Sequence, residues 1–131
     1  MMDRLRQRLA HEEGFTLIEL LVVLVIIAIL MAIAVPSYLG FKDRANQRAA
    51  SANVREAVPS VEAFYSDHQT YNGVTLASLK QIDSGLSASV KVAAIAGGGY
   101  CLDGTVGGKS SYFVGPGGTM QEAGSKPAGC P

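Results

Sequence analysis

The sequence holds little with which to build chemistry. Its 131 residues include only two histidines and two cysteines. Lys and Arg total 11 and Asp and Glu total 11, so the formal net charge is zero and no nucleic acid is expected as a partner. His68 follows Asp67, but no nucleophile, base and orienting group can be assembled around it, so no enzyme activity is expected. Cys101 and Cys130 have no histidine near them, which argues against zinc. The glycines at 97–99 and 115–118 lack the Lys-Ser/Thr ending and the following helix of a phosphate loop. No metal or cofactor is expected. The length itself leaves room for one modest domain and one special segment, not for two full domains.

What the chain does have is a long greasy front. Residues 15–35 carry only Thr16 and Glu19 as strongly polar side chains. A helix of that length rises about 31 Å, enough for a hydrocarbon core about 30 Å thick. Three readings compete. A spanning helix fits the length. A cleaved secretory signal fits the basic residues Arg4, Arg6 and Arg8 and the small-x-small pattern Ala32-Ile33-Ala34, but its apolar stretch is too long and contains an acid. A buried core helix would need more chain to cover it than remains. The spanning helix is the reading carried forward. Three basic residues precede the span and Lys42, Arg44 and Arg48 follow it, so charge does not orient it. The two cysteines, either bridged or left as free thiols, place the C-terminal side outside the cytoplasm only if they pair. Such a bridge would close a loop of about 30 residues and stabilise by about 3–4 kcal/mol.

Glu19 is the anomaly. A charged group in lipid is costly and by default marks function, although a position near the helix start lets it reach the headgroups. If the chain is cut after Gly14, Phe15 gains a cationic α-amine one helical turn from Glu19, and the two charges need each other in the same apolar surroundings. Paired between chains offset by a turn, they become a register device.

Gly14 followed by Phe15-Thr16-Leu17-Ile18-Glu19, the apolar run behind it and Pro36 near its end resemble the prepilin cleavage and methylation motif of type IV pilins and pseudopilins. The resemblance is dense over residues 14–40 and covers layout only beyond. It implies that a prepilin peptidase cuts after Gly14, that Phe15 is N-methylated, and that Glu19 neutralises the amine of an adjacent subunit. It also implies a bend or melted stretch at Pro36, where a helix hydrogen bond is lost in any case. The implied partners are identical or related pilin subunits, the peptidase, inner-membrane assembly machinery and, before assembly, the lipid bilayer. A single-pass precursor with a cytoplasmic N-terminus would become an extracellular or periplasmic filament.

Behind the span, Val54, Ala57, Val58, Val61, Phe64 and Tyr65 recur at helical spacing and predict an apolar stripe, with Pro59 expected to bend the helix or start a new segment. Residues 42–50 are expected to lie between membrane and head. A short helix near 76–81 is expected next. Strand-like runs at 90–96, 100–103, 111–114 and 119–121 follow, with turns at 97–99, 104–108 and 115–118, which reads as an antiparallel meander. The predicted fold is α+β: a long N-terminal helix, membrane-spanning then amphipathic, packed on a small antiparallel head. The expected divisions are a leader at 1–14, an assembly helix at 15–36, its amphipathic continuation at 37–68 and the head at 69–131 with Cys130 stapled to Cys101. Tyr38, Phe41, Phe64, Tyr65 and Tyr71 are expected to be packing residues. The expected role is a pilus subunit. The alternatives are a pseudopilin of a secretion or DNA-uptake apparatus, a single-span anchored binding domain that never polymerises, and a secreted domain cut after Ala34.

Overall fold

A computed structural model of the chain describes residues 14–122 and 124–131. The chain divides between Leu39 and Gly40 into two compact units. Helix α1, Leu17–His68, runs for 52 residues and contributes to both. Its first part is a series of Leu, Ile, Val, Ala and Met broken only by Glu19, with no helix-breaking glycine or proline before Pro36. It is long and apolar enough to cross a membrane. Its large apolar residues are all exposed, from Leu17 at 88% to Val35 at 46%. A side chain with no partner inside its own chain must find one elsewhere.

The second unit is an α+β head. From Ala50 onward α1 buries Ala50, Ser51, Val54, Ala57, Ser60, Val61 and Phe64. The expected stripe is present but turned. Val58 is only half-buried and Tyr65 is exposed, while the small residues Ala50, Ser51 and Ser60 take the contact, because they let a sheet come close. The contact also starts earlier than expected. Gln47 donates through Nε2 to the Ser110 carbonyl at 2.9 Å and to Ser111 Oγ at 2.8 Å, so residues 46–50 belong to the head. Ser111 Oγ and Ser51 Oγ share a hydrogen at 2.8 Å, and Ser51 Oγ donates to Glu122 Oε1 at 2.8 Å, which continues this chain of bonds into the last strand.

The helix runs on through Pro59, so of the two expected outcomes, a bend or a new segment, the new segment is not found. The proline ring lies on the exposed side, and the carbonyl it cannot serve, that of Arg55, is on an exposed residue where water can replace the lost bond. The helical run also passes through Pro36 without interruption.

Helix α2, Leu76–Ile82, opens on a reciprocal cap: Ser78 N donates to Thr75 Oγ1 at 3.2 Å and Thr75 N donates to Ser78 Oγ at 3.0 Å. Strands β1 (Val90–Ile95), β2 (Gly99–Val106), β3 (Lys109–Gly115) and β4 (Met120–Glu122) follow, paired antiparallel in sequence order. Tyr100 and Leu102 of β2 join Val54, Ala57, Val61 and Phe64 of α1 in the core, together with Leu79, Leu86 and Val90. Cys101, on the opposite face of β2, is fully buried as well and is bridged to Cys130 with their Cα atoms 5.2 Å apart. The C-terminal tail thus closes over the outer face of the sheet, where Gly129 lies against Ile95.

The turn expected at 104–108 is shorter than the glycines suggested. Only Gly107 (φ 54°) and Gly108 (φ 78°) form it, the positive-φ pair that suits a tight hairpin. Gly104 is mid-strand, opposite Val90 and Ser111. A Cβ there would stand 2.6 Å from Val54 Cγ2 and 2.9 Å from the Ala50 carbonyl oxygen, so the missing side chain is what lets helix and sheet meet. Gly104→Ala is therefore expected to destabilise the head by about 1–3 kcal/mol through overpacking. A shift of the urea midpoint of the detergent-solubilised chain measures it, and an unchanged midpoint would show that the helix–sheet contact is loose.

Candidate functional site

The N-terminal end of α1 collects three of the predicted site residues. Gly14 and Phe15 precede the first turn, and Glu19 lies within it. Glu19 turns back to the chain start. Its Oε2 accepts a hydrogen bond from the Thr16 backbone N–H at 2.8 Å, and its own N–H donates to Thr16 Oγ1 at 3.3 Å. This is a reciprocal capping box that satisfies two of the helix's orphan donors. The sequence reading missed Thr16, although Thr-x-x-Glu ahead of an apolar run is the signature of such a cap.

The cap fixes where the charge sits. One carboxylate oxygen is committed to Thr16, and Oε1 accepts no hydrogen bond among the described residues. Phe15, Glu19, Leu20 and Val23 line a hollow of about 430 Å³ that is almost wholly apolar. A carboxylate held by one oxygen at the edge of an oily hollow can accept a second donor or a cation there without leaving its cap. Pro36 lies 17 residues further along the same helix and does not join this group. Of the predicted leader, residues 1–14, all but Gly14 fall outside the described residues.

In the head, Cys101 and Cys130 are brought together as a disulfide. The other polar centre is Glu62, which lies outside the predicted apolar stripe of the helix. It is half-buried and accepts from Tyr71 Oη at 3.0 Å and from Tyr100 Oη at 2.9 Å, one phenol on each oxygen. The signal for it, two tyrosines on separate elements, is visible only once the sheet is folded. Burial, and next the bond to the Glu62 carboxylate, hold both phenols above their ordinary value. The two phenols stay neutral in the folded state over a range in which an unfolded tyrosine, ordinarily near 10, ionises. Their contribution to stability is whole below about pH 10 and declines as pH rises above it toward the folded values. Denaturation midpoints measured from about pH 8 to 11 are expected to fall across the upper part of that range, and to fall less steeply in Tyr100→Phe. A flat profile would contradict the buried triad.

His68 does not face a nucleophile. Its Nδ1–H donates to the Phe64 carbonyl at 3.0 Å and its ring stacks on Phe64 with centroids 4.1 Å apart. Of the aromatics expected to pack, Phe64 and Tyr71 are buried, Tyr65 stacks on Tyr71, and Tyr38 and Phe41 are exposed.

Comparison with known proteins places similarity where this geometry lies. The profile of the prokaryotic N-terminal methylation motif matches residues 9–35. The chain is 34% identical over 94 residues to the type IV wide pilus major component PilA4 of Thermus thermophilus, covering 70% of this chain and 72% of that one. It is 50% identical over 54 residues to the narrow pilus major component PilA5 of the same organism, covering 41% of this chain and 43% of the relative. It is 32% identical over 65 residues to the type II secretion system core protein G of Vibrio cholerae, covering 50% and 44%. The chain thus spans less than half the length of the last two relatives.

Proposed function

The chain belongs to the type IV pilin family, and from that premise we propose that it is the structural subunit of a pilus filament. Its role is assembly, not catalysis. One observation carries this reading. Among the described residues the apolar side chains of the first half of α1 are exposed, and the single acid among them is anchored at the end where processing would create an amine. A bilayer covers such a surface in the precursor, and the same surface on other copies covers it in a fibre. Exchanging lipid for helix changes apolar exposure little, so charge pairing and close packing decide the stagger.

In this reading prepilin peptidase removes residues 1–14 and Phe15 becomes the methylated N-terminus. Residues 15–36 are the assembly helix, 37–68 its continuation and 69–131 the head. Glu19 keeps its bond to Thr16 and offers Oε1 to the Phe15 amine of a neighbour. Pro36, with one missing ladder bond, is the point at which the helix bends or melts as copies pack. The precursor is a single-pass membrane protein with its N-terminus in the cytoplasm, and inner-membrane assembly machinery draws it into an extracellular filament.

The similarity to a type II secretion core protein favours one second reading, a pseudopilin of a short periplasmic fibre. Deleting the gene separates the two. The pilus reading expects surface fibres, seen by electron microscopy in the parent, to vanish while protein secretion continues. Fibres that persist while secreted proteins accumulate in the periplasm would contradict it and support the second.

A further inference from the structure

The head carries a cleft built entirely from residues of the second compact unit. It has a volume of about 330 Å³ and lies between the C-terminal end of α1 with its following loop and the β1–β2 turn. That size is within the range of about 300–1,000 Å³ typical of small-molecule sites. Tyr65 and Tyr71 form one wall, stacked with centroids 4.6 Å apart. Tyr71 is buried and packs in turn on Tyr100 at 4.8 Å, so the pair is held from behind. Tyr65 is 37% exposed, leaving aromatic surface on the cleft side. Gln69, Thr70 and Asn72 supply the polar wall. The opposite rim is backbone: Gly97 and Gly98 have positive φ and nothing within 4 Å of a Cβ position, so no side chain stands at these two positions of the cleft.

Two features narrow the ligand. First, no Lys, Arg, His, Asp or Glu lines the cleft, which removes any reason for it to prefer an ion. Second, its polar groups are uncommitted amides and hydroxyls. The Tyr65 hydroxyl and the Asn72 side-chain amide make no hydrogen bond among the described residues, and Thr70 Oγ1, which accepts from Asn72 N at 3.1 Å, retains its own proton to donate. Gln69 is held in place although its φ of 57° favours glycine, and its Nε2 is fixed on the Ser66 carbonyl at 3.0 Å, which leaves its Oε1 as an acceptor. A rigid ring face beside neutral donors and acceptors matches a molecule with one C–H face and a rim of hydroxyls.

We propose that this cleft binds a neutral saccharide, one sugar ring lying on Tyr65 and its hydroxyls bonding Asn72, Thr70, Gln69 and the Gly97–Gly98 backbone. The cleft is complete within one chain, so binding does not depend on a filament.

The test uses the full chain in a zwitterionic detergent that has no sugar headgroup. Saturation-transfer NMR and titration are run with lactose, maltose, cellobiose, chitobiose and N-acetyllactosamine, and with sialylated and sulfated lactose as charged counterparts. At least one neutral disaccharide is expected to bind with a Kd below about 5 mM, ahead of the charged forms. Tyr65→Ala is expected to weaken it about tenfold or more, and Tyr65→Phe, which keeps the ring, by no more than about threefold. Tyr65 is partly exposed, so both variants should retain the disulfide and the circular dichroism of the parent, which verifies the fold. Lack of binding by every neutral sugar, preference for the charged ones, or parental affinity in a folded Tyr65→Ala would each overturn the proposal.

Discussion

Replacing Glu19 by glutamine is expected to abolish fibres while leaving the chain inserted and trimmed. The substitution is chosen because Glu19 has two roles that alanine would remove together. Its Oε2 closes a capping box on Thr16. Its charge, in the assembly proposed here, meets the amine of a neighbouring Phe15. Glutamine has the same length and an amide oxygen that can accept from the Thr16 N–H, so the cap survives. Only the charge is lost. An α-amine ordinarily titrates near 8 and is mostly cationic at neutral pH, and in an apolar fibre core it would then lack a counter-ion. Fibre yield, measured as the sheared fraction of total protein, is expected to fall by at least about tenfold in Glu19→Gln and equally in Glu19→Ala. The trimmed form should remain abundant in the membrane fraction of both. A normal yield from glutamine beside a failed alanine variant would reduce Glu19 to a helix cap.

Loss of the Cys101–Cys130 bridge is expected to have the largest effect on the head. The bridge spans a sequence separation of 29. On the chain-entropy account, closing such a loop is worth about 3–4 kcal/mol. A domain of this size has only about 5–15 kcal/mol in total, so the loss takes a large share. The effect is also local. Among its described residues the tail has no helix or strand beyond β4, and Cys130 ties it to the middle of β2. The paired variant Cys101→Ala/Cys130→Ala should lower the urea midpoint by an amount equivalent to about 3–4 kcal/mol and open the segment after Glu122 to protease. The Gln47–Ser111–Ser51 chain of bonds lies on the helix side of the sheet and should keep the helix–sheet contact at low denaturant. An unshifted midpoint with a protected tail would mean that packing alone, as of Gly129 on Ile95, holds the C-terminus.

Much of this fold is legible in the sequence, for identifiable reasons. Residues 15–35 announce themselves because an all-round apolar run needs no partner to be recognised. The strands stand out because glycines bound them. What the sequence hides depends on contacts between distant residues. Gly104 and Gly107 look alike in the chain, and a Cβ on either would meet α1, at Val54 and Ala50 or at Asn46, yet only Gly107 takes the positive φ of a turn. The turning of the helical stripe toward Ser51 and Ser60 follows from Ser111 and Tyr100 facing it, which no periodicity in α1 reveals. Pro59 reads as a bend or a new start when its cost is judged in isolation, and the helix continues through it because water on its exposed side replaces the lost bond. At the candidate site the acid itself was plain, and its cap was legible but unread. The cleft beside Tyr65 joins the loop at 69–72 to the turn at 96–99, segments that only the folded topology brings together.

The central claim is that a chain trimmed after Gly14 polymerises through its N-terminal helix. Mass spectrometry of the N-terminal peptide recovered from sheared, washed fibres tests it most directly. A peptide beginning at Phe15 and carrying one added methyl group is the result expected. A peptide beginning at Met1 or Met2, or at Val35, would contradict it, because the amine that Glu19 is placed to meet would then be absent from the fibre.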